Sequence, residues 1–270
     1  MVANSTLQAV DESNWLRGFA NLFQKENREW WATRRWLLHA VLWTVMINGI
    51  IAFVVFVVPA LLPQMEPEEA GTFNVVAQGV QGLFQLGTVG LAIGAVILAQ
   101  DEILGERLSG VTEWILSKPV SRDAYVLSKL VANAIGVLIL LVALQMTIAY
   151  VLISVAGGSP LPAGPYLIGF VGLALHTLFY LALTLMMGVL VEDRGRLLGV
   201  PMGVLFGGLL FASFLGTLSM FTPWSLTGAL TATVLQLTMP VPVWIPLAST
   251  ALLTAACVAV TLWKFRRLEF

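Results

Sequence analysis

The chain has 270 residues, 58% of them hydrophobic and only 11% charged, with 14 Lys and Arg against 15 Asp and Glu. An ordinary soluble domain carries roughly 25% charged residues, so this composition excludes a soluble fold and defines an integral membrane protein. The formal net charge of −1 conceals a strong segregation of charge along the chain, and nothing in it points to a nucleic-acid partner.

Residues 1–35 read as a tail and an amphipathic helix. Asp11 and Glu12 stand where a secretory leader carries its basic region, and the first apolar run follows a charged helix, so the amino terminus does not read as a signal peptide. From Asn14 to Trp36, the residues Trp15, Leu16, Phe19, Leu22, Phe23 and Trp30 share one face at about 100° per residue. Arg17, Asn21, Gln24 and Arg28 lie opposite. A basic, aromatic helix of this kind lies in the headgroup region. Glu26 breaks the stripe. Either its carboxylate bends out to water, or it enters an ion pair with another element, with Arg107 and Arg122 as the candidate partners.

Uncharged runs cover residues 36–65, 70–100, 130–191 and 197–263. A bilayer core takes about 20 helical residues to cross. The first two runs hold one span each, and the last two must fold back, at Gly157 to Pro165 and at Thr222 to Pro242, where Pro, Gly, Ser and Thr concentrate. Six spans follow, near 36–60, 74–100, 126–155, 166–190, 197–221 and 243–263, making a membrane domain of residues 36–263 before a tail of residues 264–270. All 14 basic residues fall on one side of this arrangement, and the opposite loops carry only Glu66, Glu68 and Glu69. Positive loops stay cytoplasmic, so both termini are expected there. The expected fold is an all-α integral membrane protein with six transmembrane helices, an N-terminal interfacial helix and a cytoplasmic helix between spans 2 and 3.

That cytoplasmic segment, residues 101–125, gathers charge in the middle of a greasy chain. Leu104, Leu108, Val111 and Ile115 recur at spacings of four, three and four, which predicts one amphipathic helix. Pro119 ends it, and Ser121 is placed to cap the third span. A short surface helix joined rigidly to two membrane helices can carry displacement between a cytoplasmic partner and the bilayer.

Here the sequence resembles the permease subunits of type 2 ABC exporters. That family carries, between its second and third spans, a Glu, a Gly-Thr-x-Glu element, Leu-rich residues and Pro-x-Ser-Arg, with a Lys opening the next span. This chain reads Glu106, then Gly110-Val111-Thr112-Glu113, then Pro119-Val120-Ser121-Arg122 and Lys129, with Val111 departing from the usual Thr. Lys25, Glu26 and Arg34 fit the family's amino-terminal segment. The resemblance implies that the charged break is a coupling helix docking in a groove of a separate cytoplasmic ATPase, with the interfacial helix beside it. Glu102, Glu106, Arg107, Gly110, Glu113, Trp114, Pro119 and Arg122 are then coupling or bracing residues, and Glu26 and Arg34 are contacts of the N-terminal helix. It further implies a second permease copy, identical or a paralogue, around a path near spans 2 and 5. ATP and Mg are bound by the partner ATPase and no cofactor by this chain. The implied location is the plasma (inner) membrane of a prokaryote.

Small and polar residues inside the spans are the remaining signals. Gly195, Gly199, Gly203 and Gly207 recur every fourth residue, a spacing that lets helices approach closely, either within the chain or at a dimer seam. Gln78, Gln81 and Gln85 share one face of span 2, for packing or for lining a path. His39, Asn48, Gln145 and His176 are singletons expected to bond a neighbouring helix, and they form no metal constellation. Cys257 stands alone, without an internal disulfide partner. The uncharged stretch 222–242 is expected to re-enter the membrane or lie flat as an outer lid.

No phosphate loop of the GxxxxGK[ST] type is present, so the chain is not itself the ATPase. No nucleophile, base and oxyanion arrangement emerges, no catalytic residue is assigned, and Asp101 and Glu102 read as a solvated helix boundary. The middles of the spans lack charges, each of which costs about 2.5–3.5 kcal/mol to insert. That disfavours a proton-coupled secondary transporter. The expectation is an ABC permease exporting an apolar or amphiphilic substrate. The alternative is a membrane force transmitter serving an extracytoplasmic assembly process.

Overall fold

A computed structural model describes residues 15–65, 71–239 and 241–269. Asp11 and Glu12, the expected helix start at Asn14, and the outer acidic residues Glu66, Glu68 and Glu69 lie outside the described residues. Among the described residues the fold is entirely helical, and six helices are long and apolar enough to cross a membrane. They are span 1 (Trp36–Gln64), span 2 (Val75–Leu108), span 3 (Arg122–Ala156), span 4 (Ala163–Leu190), span 5 (Arg194–Phe221) and span 6 (Trp244–Arg266).

The interfacial helix is shorter than its periodicity predicts, running Phe19–Ala32. Gly18 enters it in the left-handed conformation (φ 84°), where glycine carries no Cβ penalty. At its other end Thr33 is extended and turns the chain into span 1. Trp15, expected on the apolar stripe, lies exposed ahead of the helix.

Span 4 is the centre of the bundle, enclosed by spans 2, 3 and 6. Glycines on span 2 admit its neighbours: a Cβ at Gly87 would press on Leu173 at 3.2 Å, and one at Gly94 on Leu141 at 2.9 Å. Close backbone approach replaces hydrophobic drive where lipid and protein are equally apolar. Span 1 widens into π-helical turns at Thr44–Asn48 and span 3 at Leu138–Ala143. Widened turns shift backbone bonding, and side chains fill the gap. Gln145 donates to the Leu140 carbonyl (3.1 Å) and to Thr44 Oγ1 (3.2 Å), and accepts from Asn48 Nδ2 at 2.7 Å. Asn48 and Gln145 thus bond across two spans.

Span 5 is α-helical only over Arg194–Phe211, capped at its start by Asp193, whose carboxylate accepts from the Arg196 amide at 2.8 Å. It then tightens to a 3₁₀ stretch, Ala212–Phe221, broken at Gly216 (φ 52°, ψ −127°). The connection that follows turns back as a helix, Leu226–Val234, whose Leu226, Leu230 and Val234 are buried against spans 2 and 4. Thr227 Oγ1 lies 3.0 Å from Thr88 Oγ1. Thr88 is 13 residues beyond Val75 (88 − 75), about 20 Å along the helix at 1.5 Å per residue. The segment therefore reaches near mid-depth at Thr227, and its helix returns from there toward the start of span 4, Leu230 meeting Gly172 and Val234 meeting Gly169.

Candidate coupling site at the basic end of the bundle

The charged break is two short helices, Leu104–Leu108 and Val111–Leu116, where the periodicity predicts one. The cause is Gly110, held at φ 74°, which turns the second helix away from the axis of the first. The stripe is divided in consequence. Leu104 and Ile115 are buried, whereas Leu108 (61%), Val111 and Trp114 (65%) are exposed. Glu113 and Pro119 are exposed beside them, and the Lys118 ammonium lies 5.3 Å from the Trp114 ring centroid. Ser121 caps span 3, its hydroxyl accepting from the Ala124 amide at 3.0 Å.

Two arginines tie this break to the ends of other spans. Arg107 Nη1 donates to the carbonyls of Gly188 (2.8 Å), Val191 (3.2 Å) and Val189 (3.3 Å) at the end of span 4. Arg122 Nη1 donates to those of Arg266 and Leu268, both at 2.6 Å, at the end of span 6. The last carbonyls of a helix have no partner within it and carry the negative end of its dipole, so a guanidinium answers both needs. Arg266 returns a bidentate pair to Asp123, both contacts 2.7 Å.

The interfacial helix is held by a buried ionic cluster. Glu26 (4% exposed) accepts from Lys129 Nζ (1% exposed) at 3.1 Å and from Lys25 Nζ at 3.0 Å. Lys25 and Lys129 each also lie 3.0 Å from Glu106, which accepts from the Tyr125 hydroxyl at 2.7 Å; Glu102 lies 3.6 Å from Lys129. Burial works against the Lys25 charge, but Glu26 and Glu106 outweigh it and raise its pKa above the usual lysine range. Above the cluster, Trp30 donates to Asn133 Oδ1 at 3.1 Å and covers Gly136 of span 3.

This corrects the expected pairing of Glu26 with Arg107 or Arg122, whose Nη1 groups are turned to span ends. The partner that sequence reasoning missed is Lys129. Its signal was a lone ammonium at the edge of a long uncharged run, matching a lone carboxylate inside an apolar stripe. Arg34 is exposed at the joint between the interfacial helix and span 1. The break thus gathers Glu102, Glu106, Arg107 and Arg122 into its bracing and leaves Glu113 and Trp114 on its outer face.

The other sequence-predicted residues separate clearly. Gln78, Gln81 and Gln85 are all exposed on the surface of the single chain. Gly199 and Gly203 are exposed and Gly207 half-buried, and a Cβ at any of the three would meet nothing within 4 Å. Of the two expected uses of the series, close packing within the chain is not made by these three. Gly208 makes the close approach instead, against the Trp224 ring. His176 Nε2 lies 3.0 Å from the Thr88 carbonyl, as a helix-bridging singleton should, but buried His39 Nδ1 has no hydrogen-bond partner.

Six helices long and apolar enough to cross a membrane, with a braced, partly apolar surface element after the second, define a multi-pass membrane protein. The family model described as ABC-2 family transporter protein matches residues 20–270. The chain belongs to that family and is an ABC transporter permease. No curated protein matches it.

Proposed function

We propose that this chain is the membrane subunit of an exporter driven by separate cytoplasmic ATPases, which bind the ATP and Mg, and that both its termini face the cytoplasm of a prokaryotic cell. The observation that carries the reading is the exposed trio Leu108, Val111 and Trp114 on an element braced through Glu106 and Arg107. An exposed aromatic with aliphatic neighbours is the usual anchor of a protein interface. Arg107, Arg122 and the Glu26–Lys129–Glu106 cluster lead from that anchor to spans 2, 3, 4 and 6 and to the interfacial helix. A push on Trp114 is thereby passed to the bundle. A photo-crosslinking residue at position 114 should capture an ATPase subunit, while one at Trp244, exposed at the opposite end of the bundle, should not. Equal capture from both positions, or none from 114, refutes the docking role.

A second copy is supported by the open glycine face of span 5 and the exposed glutamines of span 2, both on the surface of the single chain. Close approach through small residues is a common mode of helix association in lipid. Replacing Gly203 and Gly207 together by Leu should shift the chain toward monomers in single-molecule photobleaching, because the added side chains meet nothing inside the chain. An unchanged dimer fraction places the seam elsewhere. Between two such faces the cargo path is uncharged, which suits an apolar or amphiphilic substrate.

A further inference from the structure

A cavity of about 490 Å³ lies between the interfacial helix and the basic-side ends of spans 1 and 2. Its size is within the range of ordinary ligand sites. Glu26, Glu29, Asp101 and Glu102 line it together with Trp30 and Trp36. Asp101 is answered by Arg194 at 2.9 Å. The other three carboxylates, with Glu106, share two ammonium groups, Lys25 and Lys129. Four carboxylates thus share two ammonium groups, which makes this end of the cavity rich in acidic oxygen.

The aromatic wall complements this acidic end. Trp30 has already spent its N–H on Asn133, leaving its ring as the available surface. Indole faces attract cations most strongly when the site is partly desolvated. Nearby, Ile97 is exposed, as are Leu37, Leu38 and Val41 just beyond Trp36 on span 1. On membrane spans these side chains meet hydrocarbon. The cavity is therefore acidic and aromatic at one end and continuous with a lipid-facing surface at the other.

We propose that this cavity binds the ammonium head of a cationic amphiphile, with its alkyl chain lying along the lipid-facing side chains of spans 1 and 2. Its use as a point of cargo entry rests on the permease reading; the binding itself does not.

The test is a titration of the purified full chain, in nanodiscs of zwitterionic lipid, with radiolabelled dodecylammonium, read as the excess bound over empty nanodiscs. The expected result is saturable binding of about one ligand per chain, against which dodecanoate does not compete. The variant Glu29→Lys with Trp36→Leu should bind at least about tenfold more weakly, from the loss of one attractive charge, its reversal and one ring face. Glu29 is 64% exposed, so Glu29→Lys alone keeps the test decisive where the double variant fails to fold, and it should still weaken binding severalfold. Absence of a saturable excess, unchanged affinity in folded variants, or equal competition by dodecanoate overturns the proposal. No ATPase is present in the assay, so each of those outcomes leaves the permease reading standing.

Discussion

Replacing Lys129 with Met should remove about 3–5 kcal/mol of stability, because it takes the buried ammonium from three carboxylates and leaves Glu26 and Glu106 to share Lys25, which is 38% exposed. Lys129 and Glu26 are 1% and 4% exposed, and the same ammonium serves Glu106 and Glu102. The substituted side chain keeps the volume, so the loss reports charge and not a cavity. The measurement is the melting temperature of the purified chain in a mild detergent, together with its yield. Adding Glu26→Gln to the Lys129→Met chain should recover part of the loss, since one carboxylate fewer then competes for Lys25. A Lys129→Met chain that melts like the parent contradicts the ion-pair account of how the interfacial helix is fixed. A double variant no better than the single one shows that Glu106 and Glu102, not Glu26, bear the cost.

Trp114→Ala should have the opposite signature, with stability intact and association lost. The side chain is 65% exposed and covers no core, so the melting temperature should stay at the parent value. Truncating an aromatic anchor typically costs a complex 2 kcal/mol or more, about 30-fold in affinity. Titrating the purified ATPase subunit onto immobilised permease measures this directly. Full-strength binding by the variant removes Trp114 from the interface. A fall in melting temperature to match the fall in binding reassigns it to folding.

The six spans were legible because uncharged runs and turn-forming residues are one-dimensional signals, and lipid allows the backbone only helices there. Span ends near charged boundaries, such as the Ser121 cap, were legible for the same reason. The arginine contacts were not. Arg107 and Arg122 answer backbone carbonyls of Gly188 and Arg266, and a carbonyl is the same group in every residue, so no side-chain pattern announces it. The break between the two short helices after span 2 was hidden because periodicity counts residues and is blind to the sign of φ at Gly110. Gly207 and Gly208 make a related point. They are adjacent in sequence, yet one opens outward and the other lies under Trp224, and only the rotation of the helix separates them. Glu26 was visible as an anomaly, but its partner lies 103 residues away and the choice among lysines and arginines is made by packing.

The most direct test of the account is to purify the tagged chain from its native membranes in mild detergent and identify its companions by mass spectrometry. The expected result is a stoichiometric ATPase subunit that is lost when residues 106–122 are scrambled. A folded chain that emerges without an ATPase, even after crosslinking in the membrane, contradicts it.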